Sequence, residues 1–310
     1  MDSRPRQIIH QNLHYTILQL SFPGMVSSVL QTLFQLIDAY WVGKLGAAAL
    51  AAIGGCSFIL WAIFSLTALS VNGISALVAQ NIGAGKYDRA RLTAGQGIMI
   101  STAVSLFLLV ATLLFQNALY TLMGFSSEVS QPAHDYMTIV LFGLPFVFWF
   151  TSLESVFRGM GNTRTPMYIL AIALALNAVL DPLLILGWLG LPALGIKGAA
   201  LATALAQLLA SALCWFLLKR YEFLPLIHKK GRALLDRLIL LRILSIGAPI
   251  AFGGFFFSLI YVLLTNIISR FGTEAIAAIS VGHRIEGVAW FACVGFSVAV
   301  STPVFIFATP

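Results

Sequence analysis

The sequence predicts an all-α integral membrane protein, a six-helix lobe followed by the first one to two helices of a second lobe that repeats the first in parallel. Three observations carry this. Hydrophobic residues make up 59% of the 310 positions and charged residues 9%, and the mean hydropathy of +0.94 exceeds what a soluble domain keeps in water. The charges sit in short clusters between long uncharged tracts such as Leu45–Gly85, Leu92–Ser127, Gly198–Leu218 and Ile243–Ser269. Each tract exceeds the roughly 20 apolar residues of a helical span, and the period-2 alternation of a membrane barrel is absent. Finally, a shift of 226 residues lays Phe22–Ile53 over Ala248–Ile279 without a gap.

Taken in order, the apolar runs predict spans near Ile17–Val42, Leu50–Val78, Gly97–Leu119, Tyr136–Phe157, Met167–Gly187, Ala199–Leu218 and Ile243–Ser269, with an eighth beginning near Ala275. The first run follows Asp2, Arg4, Arg6, His10 and His14 and is as long as a full span, so it reads as a retained helix rather than a cleaved leader. In the repeat, Pro23 meets Pro249, Lys44 meets Arg270, Gly46 meets Gly272, and "ALAAI" meets "AIAAI". Six spans separate the copies, so both face the same way, as in parallel-repeat transporters. The predicted units are 1–218, a six-helix lobe; 219–242, a cytoplasmic linker containing "HKKGRALLDR"; and 243–310, the start of an incomplete second lobe.

A cytoplasmic N-terminus places every Lys and Arg on the inside except Lys44, Lys197, Arg270 and Arg284. This follows the positive-inside bias and predicts a multi-pass protein of the cytoplasmic (inner or plasma) membrane. The net charge of +7 is accounted for by topology and points to lipid rather than nucleic acid.

Four acids stand within or beside the spans: Asp38, Glu154, Asp181 and Glu286. An ionised carboxylate near the bilayer centre costs about 2.5–3.5 kcal/mol, and the cost falls when it takes up a proton, so such a group suits a proton or cation site. Asn177 and Asp181 are four residues apart and share a helix face. Pro182 has no amide hydrogen, which frees the carbonyl of Ala178 beside the carboxylate. The alternative is a kink whose aspartate bonds a neighbouring hydroxyl. Asp38 lies deep in the first span; its alternative is a residue snorkelling outward with help from Lys44. Thr203 offers a hydroxyl, although threonine in such helices also bonds its own backbone. Glu154 precedes Arg158 by one turn and reads as an intrahelical pair, and Glu286 sits close to His283 and Arg284 near the start of the last span, where it reads as part of a structural polar cluster or as a substrate contact.

Other chemistry is not encoded in recognisable form. "NIGAGKYD" carries Gln80 and Tyr87 where a phosphate loop needs Gly and Ser or Thr. His10 and His14 have helical metal spacing but no third ligand nearby, and Cys56, Cys214 and Cys293 sit singly in apolar runs, as packing residues do. No constellation of nucleophile and base suggests an enzyme, and no bound cofactor is expected beyond a coupling H+ or Na+.

The stretches "PGMVSSVLQTLFQLIDAYWVGKLG", "ISALVAQNIGAGKYDRAR", "SVFRGMGNTRTPM" and "NAVLDPLLILGWLGLPALGIKGAALAT" resemble the multidrug and toxic compound extrusion (MATE) transporters, and the resemblance covers essentially the whole chain. It implies two six-helix lobes forming a V and export of cationic, amphipathic small molecules in exchange for protons or sodium. It maps a cation-coupling site onto Asp38, Asn177, Asp181 and Thr203, which is also where a sodium ion would bind, and makes Pro23 the bending point of the first span. The seventh span, "APIAFGGFFFSLIYVLLTNIIS", lacks the glutamate that one branch carries there, which favours coupling in the first lobe. The expectation is an antiporter working as a monomer. A lipid-linked oligosaccharide flippase of the same superfamily is the alternative, disfavoured because such cavities need several cations. Two complete halves would need twice the 226-residue offset, and the chain closes on "STPVFIFATP" where the repeat predicts a counterpart of "SALVAQN", so the sequence also predicts a C-terminally truncated product that does not transport alone.

Overall fold

The computed structural model describes residues 13–221, 223, 236–279, 281–283 and 285–286. The described residues form α1 (Leu13–Gly43), α2 (Ala47–Ser65), α3 (Ala68–Gly83), α4 (Tyr87–Leu122), α5 (Ser127–Gly159), α6 (Arg164–Ile185), a short 3-10 turn (Trp188–Gly190), α7 (Ile196–Arg220) and α8 (Arg237–Ser269). Residues 273–279 and 281–283 are helical again, where the eighth span is expected to begin. Six stretches among the described residues are long and apolar enough to cross a membrane, with α2 and α3 counted as one, and α1 precedes them with 31 residues. The chain is a multi-pass membrane protein.

One expected span differs. The second is broken at Leu66–Thr67 into α2 and α3. Neither Pro nor Gly marks the place. Instead, Ser65 Oγ donates to the carbonyl of Ala62 at 2.7 Å and Thr67 Oγ1 to that of Phe64 at 2.7 Å, so hydroxyls occupy carbonyls of the last turn of α2. Helix also enters both ends of the stretch expected as a linker, because α7 runs to Arg220 and α8 begins at Arg237, capped by Asp236 accepting from the Leu238 amide at 2.9 Å. Residues 224–235, His10, Cys293 and Pro303 lie outside the described residues.

The repeat is visible in backbone geometry. Gly46 and Gly272, 226 positions apart, both take positive φ, 104° and 97°, a conformation that side chains with a Cβ resist. Gly46 N donates to the Gly43 carbonyl at 3.3 Å and Gly272 N to the Ser269 carbonyl at 3.1 Å, and a helix starts at the next residue in each copy. The basic-x-Gly motif is therefore the same tight turn made twice.

The pair α2–α3 is the central pillar: 67% of its most apolar window is buried, against 22% for the α4 and α8 spans. Small residues allow this, since Ala51, Ala52 and Cys56 are fully enclosed and bring neighbouring backbones close. Around the pillar, α5 packs against α7, with a Cβ on Gly143 meeting Ala204 at 3.0 Å, and α6 packs against α1 and α7. The seventh span, α8, lies on the pillar. A Cβ on Gly73 would stand 2.6 Å from the Ile243 carbonyl oxygen, and one on Gly247 would collide with the carbonyls of Ala68 and Leu69, at the α2–α3 break. At the far end of this contact, Asn266 Nδ2 donates to the Leu122 carbonyl at 2.7 Å.

Candidate functional site

The helix α6 is apolar over most of its length, and its one acid is wholly enclosed. Asn177 and Asp181 both have no exposed surface, being one turn apart on the face that α6 turns into the bundle. Asn177 Nδ2 donates to Asp181 Oδ1 at 3.3 Å. The outer oxygens of the pair, Asn177 Oδ1 and Asp181 Oδ2, are buried without a hydrogen-bond partner. Two buried acceptors with no donor are an unfavourable arrangement unless a proton or cation completes it. Pro182 follows within the same helix, which nonetheless continues to Ile185.

Asp38 comes from α1, which packs on α6, and is 7% exposed. It and Asp181 are close enough to interact through their charges. Lys44, the suggested helper of Asp38, lies over the rings of Tyr40 and Trp41, with Nζ 4.5 and 4.3 Å from their centroids. Pro23 is buried inside α1, and the helix runs through it; the hydroxyl of Ser27 donates to the Pro23 carbonyl at 2.9 Å. The coupling set expected from sequence thus falls into three residues held together by α1 and α6 and a fourth, Thr203, half-buried on α7. No hydrogen bond joins Thr203 to the other three among the described residues.

Chemically, the buried Asn177–Asp181 pair can take up a proton, since a protonated Asp181 carboxyl supplies a donor that the unpartnered oxygens lack, and Asp38 adds a second carboxylate from α1. The same oxygens suit a small hard cation. Among the described residues no three His, Cys, Asp or Glu side chains form a metal centre, so a sodium ion would also draw on Asn177 or backbone oxygens.

The remaining acids are placed differently. Glu154 and Arg158 form the intrahelical pair expected of them, at 3.8 Å. Glu286 Oε2 lies 3.3 Å from His283 Nδ1, while Arg284 is outside the described residues. Cys56 and Cys214 are buried free thiols. Sequence reasoning missed a buried hydroxyl cluster that ties three helices: Ser70 of α3 lies 2.6 Å from Ser101 of α4, and Ser101 bonds Ser152 of α5. Serines spread over more than eighty residues give no periodic signal, so only the fold brings them together.

The motif stretches at the ends bearing Lys86 and Arg158 are helix-capping turns. Gly85 and Gly161 take positive φ, the Lys86 amide donates to the Asn81 carbonyl at 2.7 Å, and Asn162 Oδ1 accepts from the Thr165 amide at 3.1 Å to open α6.

Comparison with known proteins adds a pattern to this geometry. The MatE family model matches residues 23–183. The Probable multidrug resistance protein NorM of Thermotoga maritima is 28% identical over 287 residues, which cover 92% of this chain and 61% of that protein. A protein of Shewanella oneidensis named FAD transporter is 30% identical over 283 residues, covering 88% of this chain and 60% of its own length. Among solved structures, one described as the crystal structure of MATE in the bent conformation matches with a TM-score of 0.82 at 26% identity, over 98% of this chain and 67% of that one. The chain therefore spans about three-fifths of the length of these curated relatives.

Proposed function

This chain belongs to the MatE family, and from that premise we propose that it forms the ion-coupled lobe, with part of its partner lobe, of an antiporter that exports cationic amphipathic compounds against an inward flow of H+ or Na+. The observation that carries the reading is the Asn177–Asp181 pair, fully enclosed in an apolar helix with two unpartnered oxygens and with Asp38 beside it. Such a group is costly in a bilayer and is retained where it does work on an ion.

In this reading the ion binds Asp38 and Asp181, and its arrival and departure shift α1 between two packings, with Pro23 as the flexible point and Thr203 contributing a further oxygen. Drug and ion compete because each favours a different packing. In this reading the protein sits in the cytoplasmic membrane as a monomer with its N-terminus inside, an orientation that the distribution of Lys and Arg supports.

The test joins this chain to the remaining C-terminal part of a full-length relative and follows efflux of ethidium from vesicles while the sodium and proton gradients are collapsed separately. Loss of efflux with one gradient is expected. Because one relative is named an FAD transporter, FAD is tested in parallel; export of FAD and not of ethidium would overturn the substrate class, and efflux indifferent to both gradients would overturn ion coupling.

A further inference from the structure

Away from the acids, aromatic rings from three segments converge on one imidazole. On α2, Phe58 and Trp61 are three residues apart and share a face; on α8, Phe257 and Tyr261 are four apart and do the same. The segment after α8 packs Ile276, 2% exposed, into the core, and His283 follows seven residues later in sequence. His283 is thereby held with its ring centroid 4.9 Å from Trp61, 5.0 Å from Tyr261 and 5.2 Å from Phe58, at interplanar angles of 51°, 48° and 54°. The walls are themselves braced: Phe58 stacks on Tyr261 at 5.5 Å, and Phe257 meets Trp61 edge-on at 5.7 Å.

We propose that Phe58, Trp61 and Tyr261 form a recognition cage for a small organic cation, with the ring of His283 as its tethered occupant. The rings of Phe58, Trp61 and Tyr261 all have centroids within about 6 Å of the imidazole, the range over which a π-system attracts a cation, and Phe58 and Tyr261 also stack on each other. An apolar core would fill this space with an aliphatic side chain; here it holds the one ring of the set that can carry positive charge. Glu286 stands at the rim with Oε2 3.3 Å from His283 Nδ1. The base of the cage is closed, since Phe58 is 1% exposed, and its mouth is open, since the side chains of His283 and Glu286 are 22% and 66% exposed. His283 and Glu286 belong to one segment, so a shift of that segment would withdraw the occupant and its acid together and leave the cage to a ligand. The inference rests on the reading above in taking the substrate to be an organic cation, but it uses none of the coupling residues.

Benzyltrimethylammonium, titrated calorimetrically into the full chain in detergent micelles, tests it, with neutral neopentylbenzene as the control of equal shape. Replacing His283 by Ala empties the cage, and His283→Ala is expected to bind the cation about tenfold more tightly than the parent while gaining nothing for the neutral compound. In the His283→Ala background, Trp61→Leu should lose about tenfold and Trp61→Phe, which keeps a ring, about threefold. No gain in His283→Ala, an equal gain for the neutral compound, or undiminished binding in Trp61→Phe would overturn the cage, the last even where Trp61→Leu fails to fold. Asp181→Asn in the same background should still bind the cation, with the losses in Trp61→Leu and Trp61→Phe preserved. If it removes binding while the ring variants do not, the cation sits at the carboxylates; the cage is then refuted and the proposed coupling stands.

Discussion

The ammonium of Lys44 rests on Trp41, its Nζ 4.3 Å from the ring centroid. Its charge is held by the rings that close α1, worth about 0.5–1 kcal/mol at an exposed position, rather than enlisted to neutralise an acid. In the chimaera described above, Lys44→Gln is therefore expected to reduce gradient-driven efflux by less than about twofold, whereas Asp38→Asn abolishes it. Efflux rates in vesicles with matched protein content decide. Equal losses in both variants would show that Lys44 serves Asp38 after all.

Within the Asn177–Asp181 pair the two substitutions have opposite signs. Asp181→Asn removes a buried charge and should raise the unfolding temperature in micelles while ending ion-coupled transport. Asn177→Ala leaves Asp181 Oδ1 without its donor and should destabilise by about 1–3 kcal/mol. Thermal melts followed by circular dichroism test both, and a destabilised Asp181→Asn would mean that the carboxylate is satisfied in the native bundle.

Glu154 and Arg158 meet across one turn of α5 at 3.8 Å, with side chains 15% and 23% exposed. Glu154→Gln loses an intrahelical pair of about 0.2–0.5 kcal/mol, and transport should fall by no more than about twofold. An inactive Glu154→Gln that still folds would move the coupling site to α5.

The seating of α8 on the α2–α3 pillar predicts a contrast between glycines. Gly73→Ala and Gly247→Ala drive a methyl group into backbone carbonyls and should each cost about 1–3 kcal/mol. Gly253, also on α8, has nothing within 4 Å of its would-be Cβ, so Gly253→Ala should stabilise by about 0.5–1 kcal/mol through helix propensity. Uniform effects at the three positions, measured by the same melts, would contradict the close contact.

Hydropathy made most spans legible because lipid imposes length and composition on each helix separately. The Asn177–Asp181 pair was legible for a similar reason, since four-residue spacing within one helix fixes a common face. What escaped depends on more than one helix. The break at Leu66–Thr67 is made by hydroxyls of Ser65 and Thr67 turning onto carbonyls, and nearly every span contains Ser or Thr that does so without breaking. The cluster of Ser70, Ser101 and Ser152 and the rings around His283 arise only when separate helices meet. Thr203 shows the converse: its place on α7 is plain, but its distance from the acids is set by how α7 packs, which no local spacing determines.

The contact at Gly73 and Gly247 also has a mechanical meaning. Interlocked side chains resist sliding because each must hop between rotamers to pass its neighbour, whereas glycine against carbonyl leaves a smooth track. Toward the other end of α8 the seam is the opposite, because Phe257 and Tyr261 interlock with Phe58 and Trp61 of α2, so axial movement there has to unseat rings. Pulling α8 away sideways is resisted at the glycines, because lifting Gly247 uncovers the carbonyls of Ala68 and Leu69 in a medium that offers them no hydrogen bonds. The seam thus opposes sliding at its aromatic end and separation at its glycine end.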